Sequence, residues 1–113
     1  MNPYYPIPRP KLPPEVLLEE NVFVTMRDGI KIATDVYRPA AKGRYPAILS
    51  TSPYIKDIQL LPPLLSHSIE AGATQFFVSK GYVHVIVQVR GTGLSQGRYN
   101  WYDDVEQKDG YEL

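Results

Sequence analysis

The sequence predicts an α/β fold in which an antiparallel hairpin precedes parallel strands joined by a crossover helix. Two observations predict it: a strand that is apolar on both faces and runs into a glycine-rich loop, and a helical apolar pattern directly before that strand. Strands covered on both faces are typical of parallel sheets, where functional groups collect beyond the carboxyl ends of the strands. The glycine-rich loop is therefore the first place to look for a functional site.

The central strand and its loop occupy residues 81–97, which read Gly-Tyr-Val-His-Val-Ile-Val-Gln-Val-Arg-Gly-Thr-Gly-Leu-Ser-Gln-Gly. Valine repeats with period two on one face, and the other face combines apolar and polar residues: Tyr82, His84, Ile86 and Gln88. This alternation predicts a strand in the interior of a sheet.

A hairpin is predicted over residues 21–37. Alternating apolar residues flank an Asp28-Gly29 pair, and glycine readily takes the positive φ that a tight turn requires. Lys31 and Asp35 lie on the face opposite the apolar residues of the second strand. We therefore expect this hairpin to expose one side to water, as near a sheet edge.

A third strand is predicted over residues 45–51, and residues 55–65 have no clean period. A helix is predicted over residues 68–80, because apolar residues recur on one helical face and Gly81 follows as a stop: Ile69, Ala73, Phe76 and Phe77. A strand-helix-strand order implies a crossover connection, so the third and central strands should be parallel.

Composition limits the classes of partner. Twelve basic residues balance twelve acidic ones, so there is no electrostatic footprint for nucleic acid or an anionic membrane. Cysteine is absent, which excludes a disulfide framework. No secretory signal pattern is present, and no apolar run approaches the roughly 20 residues of a membrane span. We expect a soluble, cytoplasmic protein, and the sequence leaves its oligomeric state open.

The amino terminus is rich in proline, and we divide the chain into an arm, residues 1–20, and a domain, residues 21–113. Six of the 11 prolines lie in the arm: Pro3, Pro6, Pro8, Pro10, Pro13 and Pro14. Such a segment favours polyproline II. Pro10-Lys-Leu-Pro13 also fits a loose PxxP ligand, so a non-enzymatic binding module that recruits an SH3-type partner is an alternative. Because PxxP is short and common, an arm lying along its own domain is favoured.

A last helix is predicted from Asp103, which has capping-box spacing to Glu106 and places acidic residues in the first turn. The chain stops at Leu113 within this helix, without a closing glycine or proline, and Gly110 lies inside it. The sequence therefore reads as truncated.

Three blocks now support a resemblance: Val24–Pro39, Tyr45–Tyr54 and Gly81–Gly93. Together they resemble the amino-terminal part of the CocE/NonD and X-Pro dipeptidyl-peptidase group of α/β-hydrolases, in the family's order and spacing. The resemblance implies the amino-terminal part of an α/β-hydrolase sheet, truncated before the nucleophile strand. In the family, a helical cap and a later jelly-roll domain complete the molecule.

The resemblance also implies a function. Members of this group are serine hydrolases acting on small-molecule esters, amides or peptides, X-Pro bonds included. The tyrosine that follows their third strand donates its hydroxyl to the oxyanion, and it maps onto Tyr54; a fixed neutral donor suits that role. The family's nucleophile, acid and histidine come later than Leu113, so the 113-residue span alone is expected to be inactive.

Ser95 is a competing nucleophile, because Gly93-Leu-Ser-Gln-Gly97 matches G-x-S-x-G. A nucleophile elbow requires a sharp turn directly between strand and helix, whereas a non-helical segment follows Ser95. No histidine follows His84 either, although the partners in this fold come after the serine. We expect Ser95 to be a loop residue near the active-site mouth, and a minimal esterase using Ser95 remains a weaker alternative.

The remaining polar motifs have plain structural interpretations, so no metal or cofactor is expected. Gly91, Gly93 and Gly97 are spaced one residue too far apart for a dinucleotide fingerprint. His67 and His84 are expected to be structural histidines. Asp103-Asp104 is explained by the dipole of the helix that begins there.

Overall fold

The computed structural model describes residues 11–54, 56, 72–101 and 103–113. Four strands form one sheet in the order β1-β2-β4-β3, and two helices accompany it. The elements are β1 (Val16–Thr25), β2 (Lys31–Pro39), β3 (Ala47–Ser52), α1 (Thr74–Ser79), β4 (Val83–Gln88) and α2 (Asp104–Glu112). The α/β class is confirmed.

The predicted hairpin is present, with β1 and β2 antiparallel. Its turn is closed by the Met26 amide, which donates to the Ile30 carbonyl at 2.8 Å, and Gly29 has a φ of 85°. β1 begins at Val16, which pairs with Pro39, earlier than the predicted start at residue 21. The end of the predicted arm, residues 16–20, thus belongs to the sheet. Residues 1–10 lie outside the described residues, so an arm over the remaining residues and the binding role of its PxxP motif stay predictions.

The expectation that the hairpin has one wet side holds for β1, an edge strand with exposed Leu17 and Phe23, and is wrong for β2. Lys31 is exposed, but Asp35 has 0% exposure, and its neighbours Ala33 and Thr34 are also buried. The reason is that residues pack on both faces of β2. Tyr37 belongs to a buried cluster with Val78 on one face, Ile32 belongs to a cluster contacted by Leu113 on the other, and Lys56 meets Asp35 at 3.0 Å. Alternation in the sequence does not show whether a charged residue faces solvent or, like Asp35, a buried partner.

The predicted crossover is confirmed, because β3 runs parallel to β4 from Ala47 opposite Val83 to Ser52 opposite Gln88. On its other side, β4 pairs with β2 in antiparallel orientation. The predicted third strand corresponds to β3, with its start and end shifted by one or two residues.

The helix before β4 is shorter in the structure than the predicted 68–80, and residues 68–71 lie outside the described residues. Its buried residues are Thr74 and Val78, whereas Phe76 is exposed. The predicted apolar face is therefore wrong for Phe76. Phe77 remains in contact with the sheet, where its ring meets that of His84 edge-on at 5.1 Å.

The core has two layers, one on each face of the sheet. On one face, Val78 of α1 packs with residues of three strands, Val16, Tyr37 and Ile86. On the other face, Leu113, the residue after α2, packs against a buried cluster formed by Met26, Ile32 and Val87. Burial on both faces explains why β4 is apolar on both sides.

The start of α2 agrees with its sequence signal. The Asp103 side chain accepts a hydrogen bond from the Glu106 amide at 2.9 Å, and Asp104 and Glu106 stand in the first turn. Among the described residues, neither helix is long and apolar enough to cross a membrane.

Candidate functional site

The parallel strands β3 and β4 end side by side, which brings two loops to the same edge of the sheet. Ser52 is the Cα partner of Gln88, and the Val89 amide donates to the Ser52 carbonyl at 3.2 Å. The segment that contains Tyr54 and the glycine-rich loop therefore leave the sheet as neighbours. This is the position where α/β sheets place their ligands.

Tyr54 lies two residues beyond β3 and its side chain is 55% exposed. Its backbone amide donates to the hydroxyl of buried Ser52 at 3.0 Å. An exposed phenol on an anchored backbone can meet a ligand from solvent. The role of Tyr54 as an oxyanion donor stays a prediction.

The glycine-rich loop requires glycine at two positions. Gly91 and Gly93 have φ values of 77° and 51°, in the left-handed region where side chains are disfavoured. A Cβ atom at Gly91 would overlap the backbone of Arg98 and Tyr99, and one at Gly93 would overlap the side-chain amide of Gln88. The loop is thus packed tightly against its own strand.

The same loop is hydrogen-bonded to the start of β2. The Gln96 amide donates to the Lys31 carbonyl at 2.9 Å, and the Lys31 amide donates to Gln96 Oε1 at 3.0 Å. A third bond, from the Gly91 amide to the Gln96 carbonyl at 2.9 Å, closes the loop on itself. These bonds give the loop a fixed shape beside the Tyr54 segment.

Ser95 is buried, with 8% exposure, and its hydroxyl makes two hydrogen bonds. Oγ donates to the Gln88 carbonyl at 2.6 Å and accepts from the Ala33 amide at 2.8 Å. A nucleophile needs an accessible hydroxyl next to a base. The geometry instead favours a structural role, in which Ser95 ties the loop to β4 and β2.

His84 is fully buried, and both of its ring nitrogens lie within hydrogen-bond distance of hydroxyls. Nε2 is 2.8 Å from Ser50 Oγ and Nδ1 is 2.9 Å from Thr74 Oγ1. This arrangement agrees with the expected structural histidine, which joins β3, β4 and α1. His67 lies outside the described residues. Within the described ranges, no group of three His, Asp or Glu side chains could hold a metal ion.

An ionic cluster between the glycine-rich loop and α2 was not predicted from the sequence. Arg90 donates from Nε to Asp109 Oδ2 at 2.6 Å and from Nη2 to Oδ1 at 2.7 Å. Its third nitrogen, Nη1, donates to Asp28 Oδ2 at 2.7 Å. The hydrogen bond from Arg90 lowers the pKa of Asp28, and the two carboxylates raise the pKa of Arg90, the Asp109 hydrogen bond most.

Arg27 extends this cluster to the end of α2. Its Nη1 contacts Glu112 Oε1 at 2.7 Å and Asp109 Oδ1 at 3.0 Å, and its backbone amide donates to Glu112 Oε2 at 2.8 Å. The hairpin turn and α2 are thereby joined. A sequence signal was available, because Asp109 and Glu112 are three residues apart and share one helix face.

A second unpredicted ion pair lies beneath the Tyr54 segment. Lys56 Nζ is 3.0 Å from Asp35 Oδ1, and the two side chains are 2% and 0% exposed. The same Oδ1 accepts a hydrogen bond from the Asn21 amide at 2.9 Å. Asp35 was expected to face solvent and instead receives a buried cation from the segment after β3.

A cleft of about 490 Å³ separates α2 from the sheet. Four apolar residues form part of its wall: Val87 of β4, Val89 just after β4, Leu113 just after α2, and Pro53, which precedes Tyr54. Charged and polar residues complete the wall, among them Arg90, Glu106 and Asp109. A cleft of mixed polarity thus adjoins the segment that holds the candidate donor.

Residues 28–113 match the sequence model of the X-Pro dipeptidyl-peptidase (S15) family. The chain belongs to this family. It is 40% identical over 105 residues to a provisionally named serine esterase of Mycobacterium bovis, covering 80% of this chain and 17% of that protein. It is 38% identical over 79 residues to the cocaine esterase of a Rhodococcus species, covering 70% of this chain and 13% of the relative.

Solved structures agree with this membership. A CocE/NonD family hydrolase from Staphylococcus aureus superposes with a TM-score of 0.74 at 28% identity, covering 86% of this chain and 19% of that one. An α-amino acid ester hydrolase gives a TM-score of 0.62 at 26% identity, covering 88% and 16%. The chain therefore spans less than a fifth of the length of these relatives, and the predicted resemblance to the amino-terminal part of the CocE/NonD hydrolases is confirmed.

Proposed function

We propose that this chain forms the amino-terminal part of the catalytic domain of a serine hydrolase that cleaves esters or amides, X-Pro peptide bonds among them. Family membership and the names of the relatives, a serine esterase and a cocaine esterase, support hydrolysis of this kind. The substrate is a small ester, amide or peptide.

Within that reaction, Tyr54 donates its hydroxyl to the oxyanion of the tetrahedral intermediate. The observation that carries this role is the exposed Tyr54 side chain on an anchored backbone at the carboxyl edge of β3. A neutral phenol stabilises developing negative charge without changing its own protonation state.

The nucleophile, acid and histidine are proposed to come from residues outside these 113, so the span alone does not turn over substrate. Ser95 Oγ is engaged by two backbone groups, and both ring nitrogens of His84 are engaged by hydroxyls. These contacts support a scaffold role for both residues. The purified span should give no hydrolysis of p-nitrophenyl butyrate above the buffer rate, and turnover that Ser95→Ala abolishes would contradict this part of the proposal.

The test of the donor role is Tyr54→Phe in the full-length protein, assayed with p-nitrophenyl butyrate and an X-Pro p-nitroanilide. Loss of one oxyanion donor should lower kcat by about 10² to 10³-fold. Tyr111→Phe is the matched control, since Tyr111 is an exposed phenol on α2. A kcat for Tyr54→Phe equal to that of the control would show that Tyr54 is not the donor.

A further inference from the structure

The segment that carries Tyr54 is held at both ends. At its start, Ser52 Oγ accepts from the Tyr54 amide at 3.0 Å, and the Ser52 carbonyl accepts from Val89 at 3.2 Å. Two residues after Tyr54, Lys56 reaches into the interior and meets Asp35 at 3.0 Å. Tyr54 is thus placed between a hydrogen-bonded anchor and an ionic anchor.

The ionic anchor is fixed to the middle of the sheet. Asp35 lies in β2 opposite Ile86 of β4, and its Oδ1 also accepts from the Asn21 amide of β1. Three strands therefore define the position of the carboxylate. The Lys56 ammonium lies in the interior at 3.0 Å from that carboxylate, and because an unpaired buried charge is strongly disfavoured, this contact holds Lys56 in place.

Stability alone does not account for this arrangement. Replacing a buried ion pair by apolar residues is often neutral or stabilising, so the presence of the pair is weak evidence that it serves stability. Within these 113 residues the Tyr54 side chain is more than half exposed, so packing of the ring against this part of the protein does little to hold it. Its backbone anchors must then set the direction of the hydroxyl.

We propose that Asp35 and Lys56 are positioning residues for Tyr54: their buried ion pair fixes the segment after β3 so that the phenol reaches the oxyanion. This inference rests on the proposed function of Tyr54. A displacement of about 1 Å can cost a catalytic group about 10²-fold in rate. Loss of the ion pair should therefore lower kcat by about 10- to 100-fold, with KM changed less than about twofold, because the defect acts on the transition state.

The test is a double-mutant cycle in the full-length protein with p-nitrophenyl butyrate. Lys56→Met alone leaves a buried carboxylate and can fail to fold, so the central variant is the double substitution Asp35→Asn with Lys56→Met, which removes both charges. Lys56→Arg keeps the charge and should retain more activity than Lys56→Met. Lys42→Met, on an exposed loop lysine, is the control.

The decisive result is that the effects of the charge-free double variant and of Tyr54→Phe on kcat are not additive. The charge-free double variant should lower kcat when Tyr54 is present and cause no further loss when combined with Tyr54→Phe. An unchanged kcat, or an equal loss in both backgrounds, overturns the positioning role while leaving the donor role of Tyr54 intact.

If Tyr54→Phe itself keeps full kcat, the proposed function fails, and NMR then tests the positioning separately. The Tyr54 amide and ring signals should shift or broaden in the charge-free double variant and stay unchanged in Lys42→Met. Wild-type Tyr54 signals in the double variant would overturn the inference.

Discussion

Arg90 and Asp109 form a bidentate pair in which Nε and Nη2 donate to the two carboxylate oxygens at 2.6 and 2.7 Å. The side chains are 9% and 5% exposed. The pair joins the start of the glycine-rich loop to α2 across a separation of 19 residues. This fork–fork geometry is specific to arginine, because lysine presents a single point charge.

Removing one partner of this pair should destabilise the protein strongly. Asp109→Asn leaves the Arg90 guanidinium buried without its main counter-charge, and breaking a buried pair in this way costs about 3–5 kcal/mol. The measurement is the free energy of unfolding from urea denaturation. The control is Arg38→Met, which removes an exposed pair with Glu19 at 3.0 Å and should cost about 0–1 kcal/mol. Equal losses in the two variants would show that the buried Arg90–Asp109 pair contributes no more to the free energy of unfolding than the exposed pair.

Stability should depend on pH through Asp28. The Arg90 hydrogen bond lowers the pKa of Asp28 in the folded protein. A lowered carboxyl pKa adds stability above the unfolded-state pKa of about 3.9, and this part is lost as pH falls through the folded-state value. The midpoint of urea unfolding should therefore fall more steeply below about pH 5 in the wild type than in Asp28→Asn. Parallel curves for the two proteins would exclude a contribution from Asp28.

Patterns of residues close in sequence predicted much of the fold. The rest depends on contacts between residues that are distant in sequence. The turn at Asp28-Gly29 and the cap at Asp103 each depend on residues close in sequence, and both are present. The burial of Asp35 depends on residues that pack on the faces of β2 from distant parts of the chain, Lys56 and Val78 among them, and no local pattern specifies those contacts. The partners of Lys56 and Arg90 likewise follow from topology, so neither ion pair could be predicted from spacing.

The Ser95 hydroxyl should stabilise the folded protein, whichever reaction the full-length protein catalyses. Ser95→Ala leaves the buried Gln88 carbonyl and the Ala33 amide without the hydroxyl that now satisfies both. Leaving buried polar groups unsatisfied costs about 1–3 kcal/mol each. Thermal unfolding followed by circular dichroism should show a lower Tm. Ser79→Ala, which removes an exposed bond to the Phe76 carbonyl at 2.7 Å, should change Tm much less.

Two glycine substitutions should act in opposite directions. Gly93→Ala places a Cβ atom against the Gln88 amide at a positive φ, so the glycine-rich loop must shift and the protein should lose stability. Gly110 lies inside α2, and a Cβ atom there meets nothing within 4 Å. Gly110→Ala should therefore stabilise the protein by about 1 kcal/mol through helix propensity. Urea unfolding of both variants checks the pair, and a destabilised Gly110→Ala would mean that the alanine methyl meets a group that packs against α2.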